Sequence, residues 1–247
     1  MFNLKNKYCL VTGCNGYVGR VITKKLKLLG ARIIGTDSES DKKNKNLSFF
    51  IKKDLDSKKE IDKLTDLLKK KYQKIDILIN NAGYVGTSKI GMKNEKKSFY
   101  NEKYINLNLT NTIYLTECLT PLLKKSKSGS IINICSIYAT LAYDYGLYKE
   151  TDMITPLAYG VSKAGLMHYT KMLSTLLGPK IRVNSISPGG IFRDQPKKFI
   201  KKYLNKTPLS RMCSEDDVAN AVIFFSSELS SYITGQNLII DGGYSVA

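Results

Sequence analysis

The chain has 247 residues, 43% hydrophobic and 24% charged, with one histidine and five cysteines; it is long enough for one large α/β domain or two small ones, with a core that needs no metal or disulfide. The lone His168 and the absence of any C-x-x-C pair argue against a metal site and for reduced thiols, and no apolar run approaches the roughly 20 residues of a membrane helix. The net charge of +18 is carried mostly by lysines scattered through the chain, which implies a generally basic surface rather than a nucleic-acid-binding face.

A strand pattern begins at Tyr8–Val11, so close to the N-terminus that no signal peptide is expected ahead of it. It runs into Thr12-Gly13-Cys14-Asn15-Gly16-Tyr17-Val18-Gly19 and then a helical pattern over 17–29. Glycines between a strand and a helix allow a tight turn and close approach of backbone to a pyrophosphate, and the helix N-terminus offers free amides. Gly13, Asn15, Gly16, Tyr17, Val18 and Gly19 are therefore candidate dinucleotide contacts; a purely structural turn is the alternative. A second strand, Arg32–Gly35, leads to Asp37, 18 residues past the last glycine, where a carboxylate accepts hydrogen bonds from ribose hydroxyls and repels a 2′-phosphate. Asp37 thus predicts NAD over NADP, the alternative being a loop-capping aspartate. A third strand, Ser48–Ile51, precedes Asp54 and Leu55, placed to reach an adenine ring. A helix over 57–72 and a strand at Ile75–Ile79 lead to Asn81, Ala82 and Gly83, small enough to let backbone pass close to a ligand.

The remaining signals are a long helix over 98–125, a strand at Ser130–Ile134, a helix over 156–177, a strand at Arg182–Ile186, helices near 196–204, 214–227 and 229–233, and a strand at Asn237–Ile240. Strands alternating with helices predict βαβ units. The expected fold is α/β, a single-domain Rossmann fold over 1–247, with a doubly wound parallel sheet of about seven strands covered by helices on both faces. Within the 156–177 helix, Tyr159 and Lys163 stand at i and i+4, on one face. A phenol titrates near ~10, and a neighbouring ammonium favours the phenolate. The pair therefore makes a candidate proton donor or acceptor tuned toward neutral pH; the alternative is an interfacial tyrosine beside a solvated lysine.

Taken together, the glycine turn, Asn80-Asn81-Ala82-Gly83, Asn108, Ser136, Tyr159-x-x-x-Lys163, Pro188-Gly189, Thr234-Gly235-Gln236-Asn237 and Asp241-Gly242-Gly243 resemble the short-chain dehydrogenase/reductase superfamily in its order. The resemblance implies that Tyr159 is the general acid/base, that Lys163 lowers its pKa and binds the nicotinamide ribose, that Ser136 bonds the substrate oxygen, and that Asn108 holds a water in a proton relay, with Asn106 the local competitor. Pro188, Gly189 and Ile191 would lie along the cofactor. Two positions depart from the pattern of the classical branch. Tyr17 stands where that branch has a glycine, giving a spacing similar to the extended branch, and Arg193 stands where a threonine usually meets the carboxamide. Arg193 is a candidate contact for an anionic substrate.

Ser136 and Tyr159 are also farther apart than the family usually has them. The added segment, about 137–157, carries Tyr138, Tyr143, Tyr145 and Tyr148. It is expected over the site mouth, with Tyr138 and Tyr148, beside Ser136, as candidate substrate contacts whose flat faces suit a polyol ring. A self-packed surface loop is the alternative. Ser136-Ile137-Tyr138, the 148–153 stretch and the 187–196 stretch resemble dehydrogenases of bacterial surface-sugar and flagellin-modification clusters, which implies a carbohydrate-like alcohol or ketone. The alternatives are a 3-oxoacyl-type or other small-carbonyl reductase, and a catalytically idle NAD-binding scaffold. The family further implies a homodimer or homotetramer, with His168 and Met172 at an interface. A cytoplasmic location is expected, with no nucleic-acid or membrane partner.

Overall fold

The structure, a computed structural model, describes residues 3–40, 44–84, 102–151 and 153–247. The start of the expected long helix (98–101), part of the polar loop after Asp37 (41–43) and Asp152 lie outside the described residues.

Among the described residues, seven strands form one parallel sheet: β1 (Tyr8–Thr12), β2 (Arg32–Asp37), β3 (Phe49–Lys52), β4 (Ile77–Asn80), β5 (Gly129–Ile134), β6 (Ile181–Pro188) and β7 (Asn237–Ile240). Their spatial order is β3-β2-β1-β4-β5-β6-β7. The expected α/β architecture is therefore the one observed. β4 starts at Ile77 rather than Ile75; just ahead of it Asp76 is tied to β1 twice, its N–H donating to the Tyr8 carbonyl at 2.9 Å and its carboxylate accepting from the Tyr8 N–H at 2.9 Å.

Strand side chains alternate between the two faces. Leu10, Leu78 and Ile131 pack into one core with Leu64, Leu119 and Leu173 of the helices α2 (Lys58–Lys71), α4 (Asn111–Leu123) and α5 (Leu157–Leu177). Cys9, Val11, Ile77, Ile79 and Ile132 point the other way, onto Ile22 and Leu26 of α1 (Tyr17–Leu28) and Val222 and Phe225 of α7 (Glu215–Ser226). A sheet buried on both faces is why β4 and β5 carry consecutive apolar residues, Ile77-Leu78-Ile79 and Ile131-Ile132, rather than an apolar-polar alternation.

The expected long helix is interrupted. A short helix, α3 (Glu102–Ile105), passes through a π-helical turn at Asn106–Thr110 before α4 begins. Such turns are frequent at functional sites, and this one carries Asn108. The last expected helix, 229–233, is only a 3₁₀ turn at Glu228–Ser230, whose Ser227 cap accepts from the Leu229 N–H. The helix expected over 196–204 is α6 (Lys197–Asn205).

A polar seam fixes α5 against the sheet. Asn80 donates to Asn133 Oδ1 at 2.8 Å and to Thr116 Oγ1 at 3.0 Å, and Asn133 donates to Thr170 Oγ1 at 2.8 Å. All four residues are buried, where satisfied hydrogen bonds are worth most for specifying one arrangement. The helix that carries Tyr159 and Lys163 is thereby held in register with β4 and β5. Between β1 and β4 the strand order reverses, and ligands of such sheets bind outside the carboxyl ends at that crevice.

Candidate active site

At this crevice lies a cleft of about 800 Å³. The turn after β1 forms its floor. Gly13 has φ +63°, a left-handed conformation that favours glycine, and a Cβ on Gly19 would fall 2.0 Å from the Gly13 carbonyl oxygen. Only bare backbone lets α1 start so close to the turn. The α1 N-terminus has no side-chain cap and no acidic residue in its first turn, so its first amides and dipole are left to an anion. Asp37 stands at the far rim, its two carboxylate oxygens accepting from the Asn15 N–H at 2.9 Å and the Glu39 N–H at 3.3 Å. Gly13, Asn15, Gly16, Tyr17, Val18, Gly19, Asp37, Asp54, Leu55, Asn81, Ala82 and Gly83 all line this cleft. The chemistry of these groups, an uncapped helix end for phosphate and a carboxylate for ribose hydroxyls, fits a dinucleotide.

The cleft opens into a second cavity of about 220 Å³, to which Ser136, Tyr138, Tyr148, Tyr159, Lys163, Pro188, Gly189 and Ile191 contribute. Ser136 ends the run after β5 and caps a 3₁₀ turn, its Oγ accepting from the Tyr138 N–H at 3.2 Å. That oxygen is also hydrogen-bonded to the Tyr159 hydroxyl. The Lys163 ammonium lies 5.9 Å from the centre of the Tyr159 ring and donates to the Ile134 carbonyl, 2.8 Å away at the end of β5. Asn108 is buried behind Gly83, whereas its competitor Asn106 is exposed. Asn108 Oδ1 accepts from the Tyr84 N–H at 2.8 Å, and its Nδ2 donates to Ser162 Oγ at 3.3 Å. A Cβ on Gly83 would sit 2.8 Å from Asn108 Oδ1 and 3.5 Å from Lys163 Nζ, so the two side chains flank one stretch of bare backbone.

The expected tuning of Tyr159 is corrected. Burial pushes its phenol up to about 12, and the hydrogen bond from Ser136 opposes that without overcoming it. Burial likewise lowers the Lys163 ammonium, which is directed at a carbonyl rather than at the phenol oxygen. Helical spacing brought the two residues to one face but did not bring their polar ends together.

Arg193, expected as a contact for an anionic substrate, lines both cavities, its guanidinium 2.5 Å from Glu215 Oε1 and 4.5 Å above the centre of the Tyr17 ring. The tyrosine-rich segment is both a packed unit and a cavity wall. Tyr138 and Tyr148 line the smaller cavity, their hydroxyls 3.0 Å apart, and Tyr148 is also bonded to Thr155 Oγ1 at 2.8 Å. Tyr143 ties the segment to α5, donating to the Pro156 carbonyl at 2.8 Å and accepting from the Gly160 N–H at 2.7 Å. Lys198, Lys202 and Lys206, one turn apart along α6, hold Glu150, the Gly146 and Lys149 carbonyls, and Asp144.

Several site residues had no readable role in the sequence. Thr12, Tyr84 and Ser162 orient the Asn81–Gly83 backbone or Asn108. Tyr203 of α6 accepts from the Gly190 N–H at 2.7 Å and so holds the turn after Pro188. His168 and Met172 lie exposed on α5. No group of metal-ligating side chains, and no helix long and apolar enough to cross a membrane, occurs among the described residues.

A glycine turn at the switch point of a parallel sheet, opening onto a serine, a tyrosine and a lysine, is the layout of a dehydrogenase or reductase. Comparison with known proteins gives the same answer. A family profile described as "Enoyl-(Acyl carrier protein) reductase" matches residues 16–245. The chain is 34% identical to the 3-oxoacyl-(acyl-carrier-protein) reductase FabG of Buchnera aphidicola subsp. Schizaphis graminum, over 97% of this chain and 98% of that protein. It is 30% identical to post-translational flagellin modification protein A of Campylobacter coli, over 98% of this chain and 100% of the other. The crystal structure of a short-chain dehydrogenase from Leptospira borgpetersenii, with bound NAD+, superposes with a TM-score of 0.87 at 36% identity, covering 99% of this chain and 94% of that one. The chain belongs to the short-chain dehydrogenase/reductase family.

Proposed function

We propose that this protein is an NAD-dependent oxidoreductase that interconverts an alcohol and a ketone on a carbohydrate-like substrate. The observation that carries the reading is the convergence of the Ser136 and Tyr159 hydroxyls on a small cavity that opens directly into the glycine-floored cleft. The turn from Gly13 to Gly19 and the α1 amides would hold the pyrophosphate, Asp37 the adenosine ribose, Asp54 and Leu55 the adenine surroundings, and Asn81–Gly83, Pro188, Gly189 and Ile191 the nicotinamide half. When bound, the nicotinamide supplies or accepts the hydride. NAD is favoured because the Asp37 carboxylate, fixed by two backbone N–H groups, would oppose a 2′-phosphate.

Tyr159 holds the proton. With its pKa near 12, the phenol is protonated at neutral pH. It therefore donates to a carbonyl oxygen in the reductive direction and must lose its proton before it can accept one from an alcohol. Ser136, whose oxygen is oriented by the Tyr138 N–H, donates a second hydrogen bond to the same substrate oxygen. Lys163, anchored on Ile134, places positive charge near the phenol, and Asn108 shapes the backbone at Gly83 that separates it from Lys163.

The tyrosine faces of the smaller cavity support a sugar-derived substrate, as does the resemblance of the 136–138, 148–153 and 187–196 stretches to surface-sugar dehydrogenases, with which the likeness to a flagellin modification protein accords. A reductase of 3-oxoacyl groups is the second reading, favoured by the 34% identical relative. We further propose a cytoplasmic homodimer or homotetramer, with exposed His168 and Met172 of α5 at the contact. A panel of keto-sugars, sugar-nucleotide ketones, 3-oxoacyl thioesters and steroid ketones, followed by NADH and NADPH oxidation, tests the proposal. Turnover of a sugar-derived ketone with NADH is expected. Turnover confined to acyl or steroid ketones would overturn the substrate class, and a clear NADPH preference would overturn the role of Asp37.

A further inference from the structure

The two positions at which this chain departs from its family's pattern touch each other. Tyr17 replaces a glycine at the first position of α1, and Arg193 replaces a threonine after Pro188-Gly189; far apart in the chain, they meet with the guanidinium 4.5 Å above the phenol ring. The Arg193 side of the contact is held in place. Arg193 Nη1 lies 2.5 Å from Glu215 Oε1 at the start of α7 and donates to the Phe192 carbonyl at 2.6 Å. Its backbone N–H donates to Gln195 Oε1 at 2.8 Å, and Gln195 in turn donates to the Ile191 carbonyl at 2.7 Å. Arg193 thus spans the place where the larger cleft opens into the smaller cavity, lining both. Tyr17 stays 73% exposed in the fold even with Arg193 over its ring, so the pair stands at the surface of the cleft.

The α1 N-terminus beneath is where a dinucleotide's phosphates sit in this architecture. A planar cation lying over the ring of the first residue of α1 is well suited to a phosphate oxygen. We propose that Tyr17 and Arg193 form a strap across the dinucleotide cleft, Arg193 pairing with the pyrophosphate and Tyr17 acting as the platform that positions it. The inference rests on the dinucleotide reading above and adds to it a retention device that the family's usual glycine and threonine cannot build.

NADH binding, measured by fluorescence titration and by stopped-flow release, tests the strap without any substrate. A charge-assisted contact predicts that Arg193→Ala weakens NADH binding about tenfold or more, mostly through faster release. Tyr17→Gly, which restores the family's usual residue, should weaken it about threefold through loss of the stacked cation, whereas Tyr17→Phe keeps the ring and should bind like the wild type. If Tyr17 acts through Arg193, Arg193→Ala combined with Tyr17→Gly should be no worse than Arg193→Ala alone. Adenosine, which lacks the pyrophosphate, should bind wild type and Arg193→Ala equally, and thermal melts of the variants exclude a folding defect. Arg193→Ala within twofold of wild type for NADH, or losses that multiply in the double variant, would overturn the strap while leaving the enzyme reading intact. A wild-type protein with no NADH affinity would overturn both.

Discussion

Thr12→Val replaces one hydroxyl with a methyl at the point where β1 meets the crevice, and its cost can be worked from the geometry. Thr12 is buried, and its Oγ1 accepts from two backbone N–H groups, Asn81 at 3.0 Å and Ala82 at 2.9 Å, while donating only weakly to the Ile79 carbonyl at 3.4 Å. Valine fills the same volume, so no cavity forms and no packing is lost. What is lost is an acceptor shared by two donors. The Asn81 N–H keeps the Ile79 carbonyl at 3.1 Å, so the donor left stranded is the Ala82 N–H. A stranded buried donor costs about 1–3 kcal/mol, and Ala82, which borders the cleft and is only half-buried, falls toward the lower end, at about 1–2 kcal/mol. At about 2–4 °C per kcal/mol for a chain of this size, the melting temperature should fall by about 2–8 °C. NADH affinity should fall with it, because the same two N–H groups hold the backbone that faces the nicotinamide half. Urea unfolding with circular dichroism, run beside Thr12→Ser, is the assay. The serine variant keeps the hydroxyl and should lose less. A valine variant within about 0.5 kcal/mol of wild type, or a serine variant that loses more, would refute the accounting.

Three further outcomes are expected. Burial raises the Asp76 carboxyl, but hydrogen bonds from Lys74 at 2.8 Å, Ser126 at 2.6 Å and the Tyr8 N–H at 2.9 Å outweigh it and leave its pKa below the usual value. A depressed carboxylate stabilises the fold above its unfolded pKa of about 4 and stops doing so as the pH falls through the folded value. Asp76→Asn should therefore cost about 2–3 kcal/mol at pH 7, and urea unfolding at acid pH should show the gap to wild type closing. The raised phenol of Tyr159 predicts that kcat/KM for alcohol oxidation climbs about tenfold per pH unit from neutral pH toward 10, while ketone reduction stays flat; a bell centred near neutrality would contradict it. The lysine contacts between α6 and the tyrosine-rich segment are exposed, so Lys198→Ala combined with Lys206→Ala should change stability by less than about 1 kcal/mol. The KM should rise all the same, because the cavity wall loses its anchors; an unchanged KM would show that the segment holds its shape unaided.

Much of this was legible in the sequence because it depends on local pattern. The two-faced burial of the sheet shows as consecutive apolar residues at Ile77–Ile79 and Ile131–Ile132, and the glycines of the β1–α1 turn announce a backbone with no room for side chains. Contacts made across the fold were not legible. Glu215 and Tyr17 claim Arg193 only once α1, α7 and the loop after β6 are assembled. Lys163 shares a helix face with Tyr159, yet the carbonyl that receives its ammonium lies on β5, so spacing alone misjudged the phenol's pKa. The π-helical turn at Asn106–Thr110 has no glycine or proline to signal it; Asn108 appears as a buried site residue only when Tyr84 and Ser162 stand against it.

The measurement nearest the centre of the account is isotopic. With NADH deuterated at both C4 positions and a ketone from the panel that turns over, wild-type protein should deliver deuterium to the new carbinol carbon. Tyr159→Phe should bind NADH as tightly and deliver none. Label transfer by the Phe variant at the wild-type rate, or a product whose carbinol hydrogen comes from water, would contradict an alcohol–ketone centre built on this tyrosine.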